Sequence, residues 1–296
     1  MADGQITIGT VQITGLSDGE MDHHLSMDRL FPAMSPDVQD SYRLRYPGTS
    51  LIPNRWHVNV GCYLIRSMGR TILVDMGAGA ADGPVAASLG RSEDGRLLEA
   101  IEAAGSTPAE VDFVCLTHPH RDHVGWSLIT ENGQRRLAFP NARYLLQQAD
   151  WETFHKPEIQ AARNIDYMGA AITPLKDLGA LELAAGDYRV TDEVTAIHTP
   201  GHTPGHMCIL VASGGQQAIV TGDVLVHPVQ FADPDTAFNF DMDPVAARRT
   251  RRELVERIEA EGITVAAGHL PGPGFGKLVR EDGHLFWQPL ETQLTL

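Results

Sequence analysis

The chain has 296 residues, of which 43% are hydrophobic, enough for a sizeable buried core. Lys and Arg number 23 against 38 Asp and Glu, a formal net charge of −15 that argues against nucleic acid and anionic membrane surfaces as partners. No apolar run approaches the roughly 20 residues needed to span a bilayer, and the first residues carry neither a basic nor an apolar leader, so the expected compartment is the cytoplasm.

Residues 5–14 alternate apolar and polar side chains and predict a half-buried strand. Residues 16–55, with Pro32, Pro36, Pro47 and Pro53, read as an irregular arm wrapping the body. Residues 1–56 are thus taken as an N-terminal strand and arm, part of the same domain as the body at 57–296. Strands are expected at 57–66 and 71–75, joined by a turn around Gly69. A glycine-rich loop beginning at Met76 follows, then a helix over 96–104 closed by Gly105. A buried strand over 111–116 runs into a polar loop at 117–123. A strand at 143–147 leads into a helical stretch over 148–172 that carries Trp151, Phe154 and Tyr167. Strands at 189–198 and 206–212 flank the loop 199–206, and a strand at 217–221 ends at Gly222 and Asp223. Asp243 and Pro244 form an N-cap and first-turn pair for a helix closed by Gly262. A last strand over 263–267 ends at Gly268 and His269.

Alternating strands and helices predict an α/β fold. Strand after strand ends in a loop bearing His or Asp, and in such folds those loops gather at one edge of a sheet. Cys62, Cys115 and Cys208 each lie in an apolar strand-like run, and their odd number and wide spacing predict buried, reduced thiols.

The densest chemistry is His118, His120, Asp122 and His123, four ligand-type side chains within six residues after a buried strand. His118 and His120 are two apart, so in an extended loop their rings point the same way. Neutral imidazole with carboxylate suits zinc and its first-row neighbours. His202, Asp223 and His269 stand at other strand ends and complete a set large enough for two metal ions. His206, Thr221 and His198 are candidates for orienting those ligands. His57 reads as core or pocket rim, and His23, His24 and His284 as surface residues. The run Arg248, Arg249, Arg251 and Arg252 reads as a solvated helix face beside Glu253, Glu256 and Glu259.

His118-x-His120-x-Asp122-His123, followed in order by His202, Asp223 and His269, resembles the metallo-β-lactamase-fold hydrolases. The opening strands from Gly61 and from Ile72 are similar to that family's too. The resemblance implies a four-layer αβ/βα sandwich with two divalent ions, most simply zinc, with manganese, cobalt or iron as alternatives. It implies that His118, His120 and His202 hold the first ion, that Asp122, His123 and His269 hold the second, and that Asp223 bridges them. Two such ions lower the pKa of a shared water to give a hydroxide nucleophile. Asp122 is the implied catalytic group, orienting the nucleophile or returning a proton.

The stretch from Gly222 to Phe231 resembles the branch that contains methyl parathion hydrolase and related lactonases and esterases. Acyl-homoserine lactonases of the family carry a tyrosine three residues after the bridging aspartate, where this chain has Val226. The arm at 16–55 resembles arms that build dimers in that branch, so a homodimer is expected. Trp56, Trp151, Phe154, Tyr167, Phe231 and Phe238 are candidates for an apolar pocket wall. The expected substrate is a small lactone or carboxylic ester, with a phosphotriester as the alternative. Iron-dependent redox chemistry, nucleic-acid processing and metal-free binding rank below hydrolysis. No flavin motif accompanies the first, the acidic charge opposes the second, and clustered His and Asp without a metal would be costly.

Overall fold

The computed structural model describes residues 2–85, 89 and 93–291. In chain order the strands are β1 (Ala2–Ile8), β2 (Val11–Ser26), β3 (Arg55–Ser67), β4 (Arg70–Val74), β5 (Phe113–Cys115), β6 (Leu128–Glu131), β7 (Gln134–Leu137) and β8 (Arg143–Gln147). They continue with β9 (Leu181–Ala184), β10 (Tyr188–Arg189), β11 (Val194–His198), β12 (Met207–Ser213), β13 (Gln216–Val220), β14 (Thr264–Ala266), β15 (Phe275–Glu281) and β16 (His284–Pro289). Two seven-stranded sheets form, ordered β1-β2-β3-β4-β5-β8-β9 and β10-β11-β12-β13-β14-β15-β16, with β6 and β7 as a separate hairpin.

Period-two alternation makes the layers. On β3, Tyr63 and Ile65 point between the sheets, where they meet Ile209 and Val211 of β12 and Phe275 of β15. Cys62 and Leu64 point the other way, into a cluster with Leu97, Ala100 and Ile101 of the helix Leu97–Ala103. On the far side, Cys208, Ile219 and Val265 pack against Leu254, Val255 and Ile258 of the helix Pro244–Glu261. The result is the αβ/βα sandwich. That second helix starts and stops as its sequence predicts: Asp243 accepts from the amides of Val245 and Ala246, and Gly262 ends it in a left-handed conformation.

Several expectations change. The strand at 5–14 is a hairpin turning at Gly9 and Thr10, and its second arm runs on to Ser26. β2 can extend because β3 supplies a hydrogen-bonding partner as far as Arg55, with register shifts after Ser17 and after Asp22. The segment 16–55 is therefore half strand, and it also carries the helix Pro36–Arg45, capped by the Ser35 side chain. The stretch 148–172 is three helices, Gln148–Phe154, Pro157–Arg163 and Met168–Ala171. Pro157 lacks an amide hydrogen and opens a new helix, and Asn164 closes it with φ +52°. β14 is not the last strand: β15 and β16 follow, joined at Asp282 and Gly283, both with positive φ. Arg251 is fully buried rather than on a solvated face. Cys62, Cys115 and Cys208 are buried and unpaired. No helix among the described residues is long and apolar enough to cross a membrane.

Candidate metal centre

The loops that follow β4, β5, β11, β13 and β14 converge at one edge of the sandwich. They bring His118, His120, His202 and Asp223 together in one group, with ligand atoms within 4.8 Å of one another, and Asp122, His123 and His269 in a second. Asp223 joins the two. Its Oδ2 lies 3.4 Å from His202 Nε2 and 3.7 Å from His118 Nε2, while its Oδ1 lies 3.1 Å from His269 Nε2 and 3.4 Å from His123 Nε2. Asp122 Oδ2 faces His269 and His123 at 3.5 and 3.7 Å. All but His120 and Asp122 are buried, and those two are half-buried at the cavity face.

The outward nitrogens of these rings fix the tautomers. His123 Nδ1 meets Asp75 Oδ2 at 2.9 Å, and a carboxylate can only accept, so Nδ1 carries the proton. His202 Nδ1 donates in the same way to Asp241 Oδ1 at 3.1 Å, and His269 Nδ1 to the carbonyl of Asn59 at 2.9 Å. The Thr117 hydroxyl gives its one hydrogen to Asp75, so it accepts from His118 Nδ1 at 3.0 Å. In the neutral rings four Nε2 lone pairs therefore point inward.

That arrangement fits metal ions and little else. His118 Nε2 and His202 Nε2 lie 2.9 and 3.0 Å from His120 Nδ1, and at most one proton is there to share among three nitrogens. His123 Nε2 and Asp223 Oδ1 are buried with no hydrogen-bond partner, an orphaned pair that a cation would satisfy. Burial drives the charged forms of His118 and His120 well down, reinforced by neighbouring imidazoles. His123 and His269 go the other way. Burial opposes their charge, but Asp122, Asp75 and Asp223 around His123 raise it to about 10, and Asp223 and Asp122 raise His269 to about 9. The second trio is thus a strongly cation-attracting site.

A further ring of residues holds the ligands. Asp75 receives the amide and hydroxyl of Thr117 as well as His123, and it does so from a left-handed backbone at φ +62°. Asp241 sits between His202 and Arg251, whose guanidinium also donates to the carbonyls of Val224, Pro234 and Thr236. Asp150, which burial pushes up to about 7, accepts from Thr203 and Gly205 and anchors the loop carrying His202. Asn59 ties down the His269 loop through the carbonyls of Gly268 and Gly272. His206 is a positioning residue: its Nε2 accepts from the Asp223 amide at 3.0 Å and its Nδ1 donates to Thr199. Gly222 has φ +47°, and a Cβ there would come within 2.5 Å of His206. His198 donates to the carbonyl of Pro204, while the Thr221 hydroxyl turns to Gly222. Of these positions the sequence marks His206, Thr221 and His198. Asp75, Asp150, Asp241 and Asn59 were not marked, although Asp75 carried a signal as an acidic residue at a strand end before a glycine-rich loop.

A cavity of about 550 Å³ opens over the cluster. Trp56, Tyr167 and Phe238 line it with Met21, Val58, Phe240 and Met242, and Arg121 and Arg163 add charge. Three of the expected wall residues lie elsewhere. Phe231 is in the core beneath the second sheet, Phe154 packs behind His120 with ring centres 5.7 Å apart, and Trp151 packs on His155 under Lys176. Trp151 and Phe154, on the helix Gln148–Phe154, turn into the core, and the chain beyond Pro157 brings 162–165 and Tyr167 to the rim. His23 and His24, expected on the surface, line the cavity because β2 reaches that far. His57 bonds Asp22.

Residues 56–269 match the metallo-beta-lactamase superfamily. The chain belongs to that superfamily. It is 26% identical to an N-acyl homoserine lactonase of Bacillus cereus over 73% of this chain and 83% of the relative, and 29% identical to another from a Bacillus species over 71% and 80%. Among solved structures it is similar to the hydrolase AbOPH of the beta lactamase superfamily, with 28% identity, 98% of each chain covered and a TM-score of 0.81. The fold is also shared with AidC, a dizinc quorum-quenching lactonase, at 20% identity, 98% of each chain covered and a TM-score of 0.77. The chain is a metal-dependent hydrolase of this superfamily.

Proposed function

We propose that the protein is a dinuclear lactone hydrolase, with His118, His120 and His202 holding one ion, Asp122, His123 and His269 the other, and Asp223 shared by both. The observation that carries this reading is the inward convergence of imidazole lone pairs on the two oxygens of Asp223, at the floor of an apolar-walled cavity. The curated relatives, N-acyl homoserine lactonases at 25–29% identity, support a lactone over other esters. Bound zinc ions would supply Lewis acidity, activating water and polarising a carbonyl.

The chain's own residues do the rest. Asp75, Asp241, Asn59 and Thr117 hold the proton of each ring on Nδ1 and aim the Nε2 ligand atoms. The carboxylate of Asp122, partly open to the cavity, can take a proton from water and deliver it to the departing oxygen. Val226 is buried with Met27, Leu30 and Trp56 and offers no proton donor, which leaves that role to Asp122. Trp56, Phe238 and Phe240 exclude water and pack the substrate's apolar part. The protein acts as a homodimer, with the exposed Val38, Leu44, Leu51 and Ile52 at its interface. The test is a panel of lactones, aryl esters and phosphotriesters on protein carrying two equivalents of zinc. Lactone turnover is expected to dominate, and no lactone turnover with both ions bound refutes the proposal.

A further inference from the structure

One wall of the cavity is a patch of rings. His23 stacks 4.5 Å from His24 and lies 5.5 Å from Phe240 and 5.9 Å from Trp56, and Trp56 meets His269 edge-on at 5.6 Å. His23 is therefore one ring removed from the metal cluster. Its tautomer is set by the backbone: the amide of Leu25 donates to Nδ1 at 3.1 Å, so Nδ1 keeps its lone pair and a neutral ring carries its proton on Nε2. Burial, with His24 beside it, holds the ring down to about 4, neutral at pH 7. Among the described residues Nε2–H has no hydrogen-bond partner, and it is not sealed from solvent. Beneath it, the indole N–H of Trp56 is buried and also without a partner. A buried donor without a partner beside one that opens to the cavity marks a stretch of wall where an acceptor fits. Asp22, Asp122, Arg121 and Arg163 line the same cavity, so its charges are mixed, and an uncharged N–H donor of this kind pairs with a neutral oxygen.

We infer that His23 is a specificity-determining residue whose Nε2–H binds a neutral carbonyl oxygen of the substrate, an amide or second ester, beyond the bond being cleaved. A bare alkyl substituent would leave the donor unpaired, and a site built to bond a polar group discriminates against the analogue lacking it. The inference rests on the lactone-hydrolase reading, and its test separates the two.

Zinc-loaded wild type, His23→Phe and His23→Gln are assayed on two γ-butyrolactones of equal chain length, one with an α-acylamino group and one with an α-alkyl group. Phe keeps the stacking and loses the donor, while Gln keeps an N–H at similar reach. The ratio of kcat/KM between the two lactones is expected to fall 10- to 100-fold in His23→Phe and to recover in His23→Gln. A ratio unchanged in His23→Phe, whether activity is kept or lost equally on both, overturns the inference while leaving the lactone reading in place. A wild-type enzyme inert on both lactones refutes that reading instead. His23 is then judged by the imidazole ¹H–¹⁵N spectrum of the zinc-loaded protein, its signals identified by their loss in His23→Phe. An Nε2–H tautomer whose resonance moves on adding the ring-opened acylamino acid supports the inference, and an Nδ1–H tautomer or an unmoved resonance overturns it.

Discussion

Asp75→Asn isolates how the metal centre is aimed. Asn is among the few residues that tolerate the left-handed backbone at φ +62°, and the side chain keeps its size, so the loop is expected to hold. The chemistry changes. If the amide oxygen stays on the Thr117 amide, 2.8 Å away, the new NH₂ faces His123 Nδ1 and the Thr117 hydroxyl, both 2.9 Å away and both donors. His123 can relieve the clash only by moving its proton to Nε2, which removes the lone pair meant for the second ion. The Thr117 hydroxyl keeps an acceptor in the amide oxygen, 3.1 Å away, so His118 is disturbed less. Hydrogen bonds to a charged group contribute about 1.5–3 kcal/mol each. Loss of such supporting partners costs roughly 10- to 100-fold in metal affinity. We therefore expect the Asp75→Asn protein to bind two zinc ions at least tenfold more weakly, the second site suffering more because His123 is contacted directly. Competition against a chelator of known affinity reads both steps. Two zinc ions bound within threefold of the wild-type affinities would refute the reasoning.

Other predictions follow from single contacts. Arg251→Met strands the buried Asp241 carboxylate beside His202, and removing one partner of a buried pair costs about 3–5 kcal/mol, so denaturant unfolding should show a loss in that range. Unchanged stability would contradict the role given to the pair. His227 is buried, and burial alone pulls it from 6.5 to about 3, so its contribution to stability is complete above pH 6.5 and is lost as pH falls toward 3. His227→Asn keeps an acceptor for the Val229 amide, and the stability difference between wild type and variant should tilt by about 1.4 kcal/mol per pH unit between pH 6 and 4. Parallel curves would count against a neutral buried ring. Replacing Leu44 and Ile52 with glutamate should convert dimer to monomer by light scattering with zinc content unchanged, and a wild type that is monomeric at every concentration removes the proposed interface.

What the sequence could show depended on the range of the physics. His118 to His269 stand at strand ends, and residue type plus strand periodicity locates such positions without knowing which strands are neighbours. Asp75, Asp241 and Asn59 gain their roles from contacts 48, 39 and 210 residues away in sequence, which no local pattern contains. The course of β2 beyond residue 16 depends on β3 as a partner, so a locally irregular stretch became strand and carried His23 into the cavity. The pocket wall failed for a related reason. Trp151 and Phe154 stand on a short helix before Pro157, and that its aromatic side meets the core and not the cavity is set by packing against distant residues. The hairpins at Asn132-Gly133 and Asp282-Gly283 carried local turn signals that could have been used.

The central claim is that two ions sit between the converging imidazoles with Asp223 shared. Anomalous diffraction at the zinc edge from zinc-loaded crystals tests it most directly. Two peaks are expected, one among His118, His120 and His202 and one among Asp122, His123 and His269, each in contact with one oxygen of Asp223. A loaded crystal with no peak there, or with zinc held by other residues, contradicts the account.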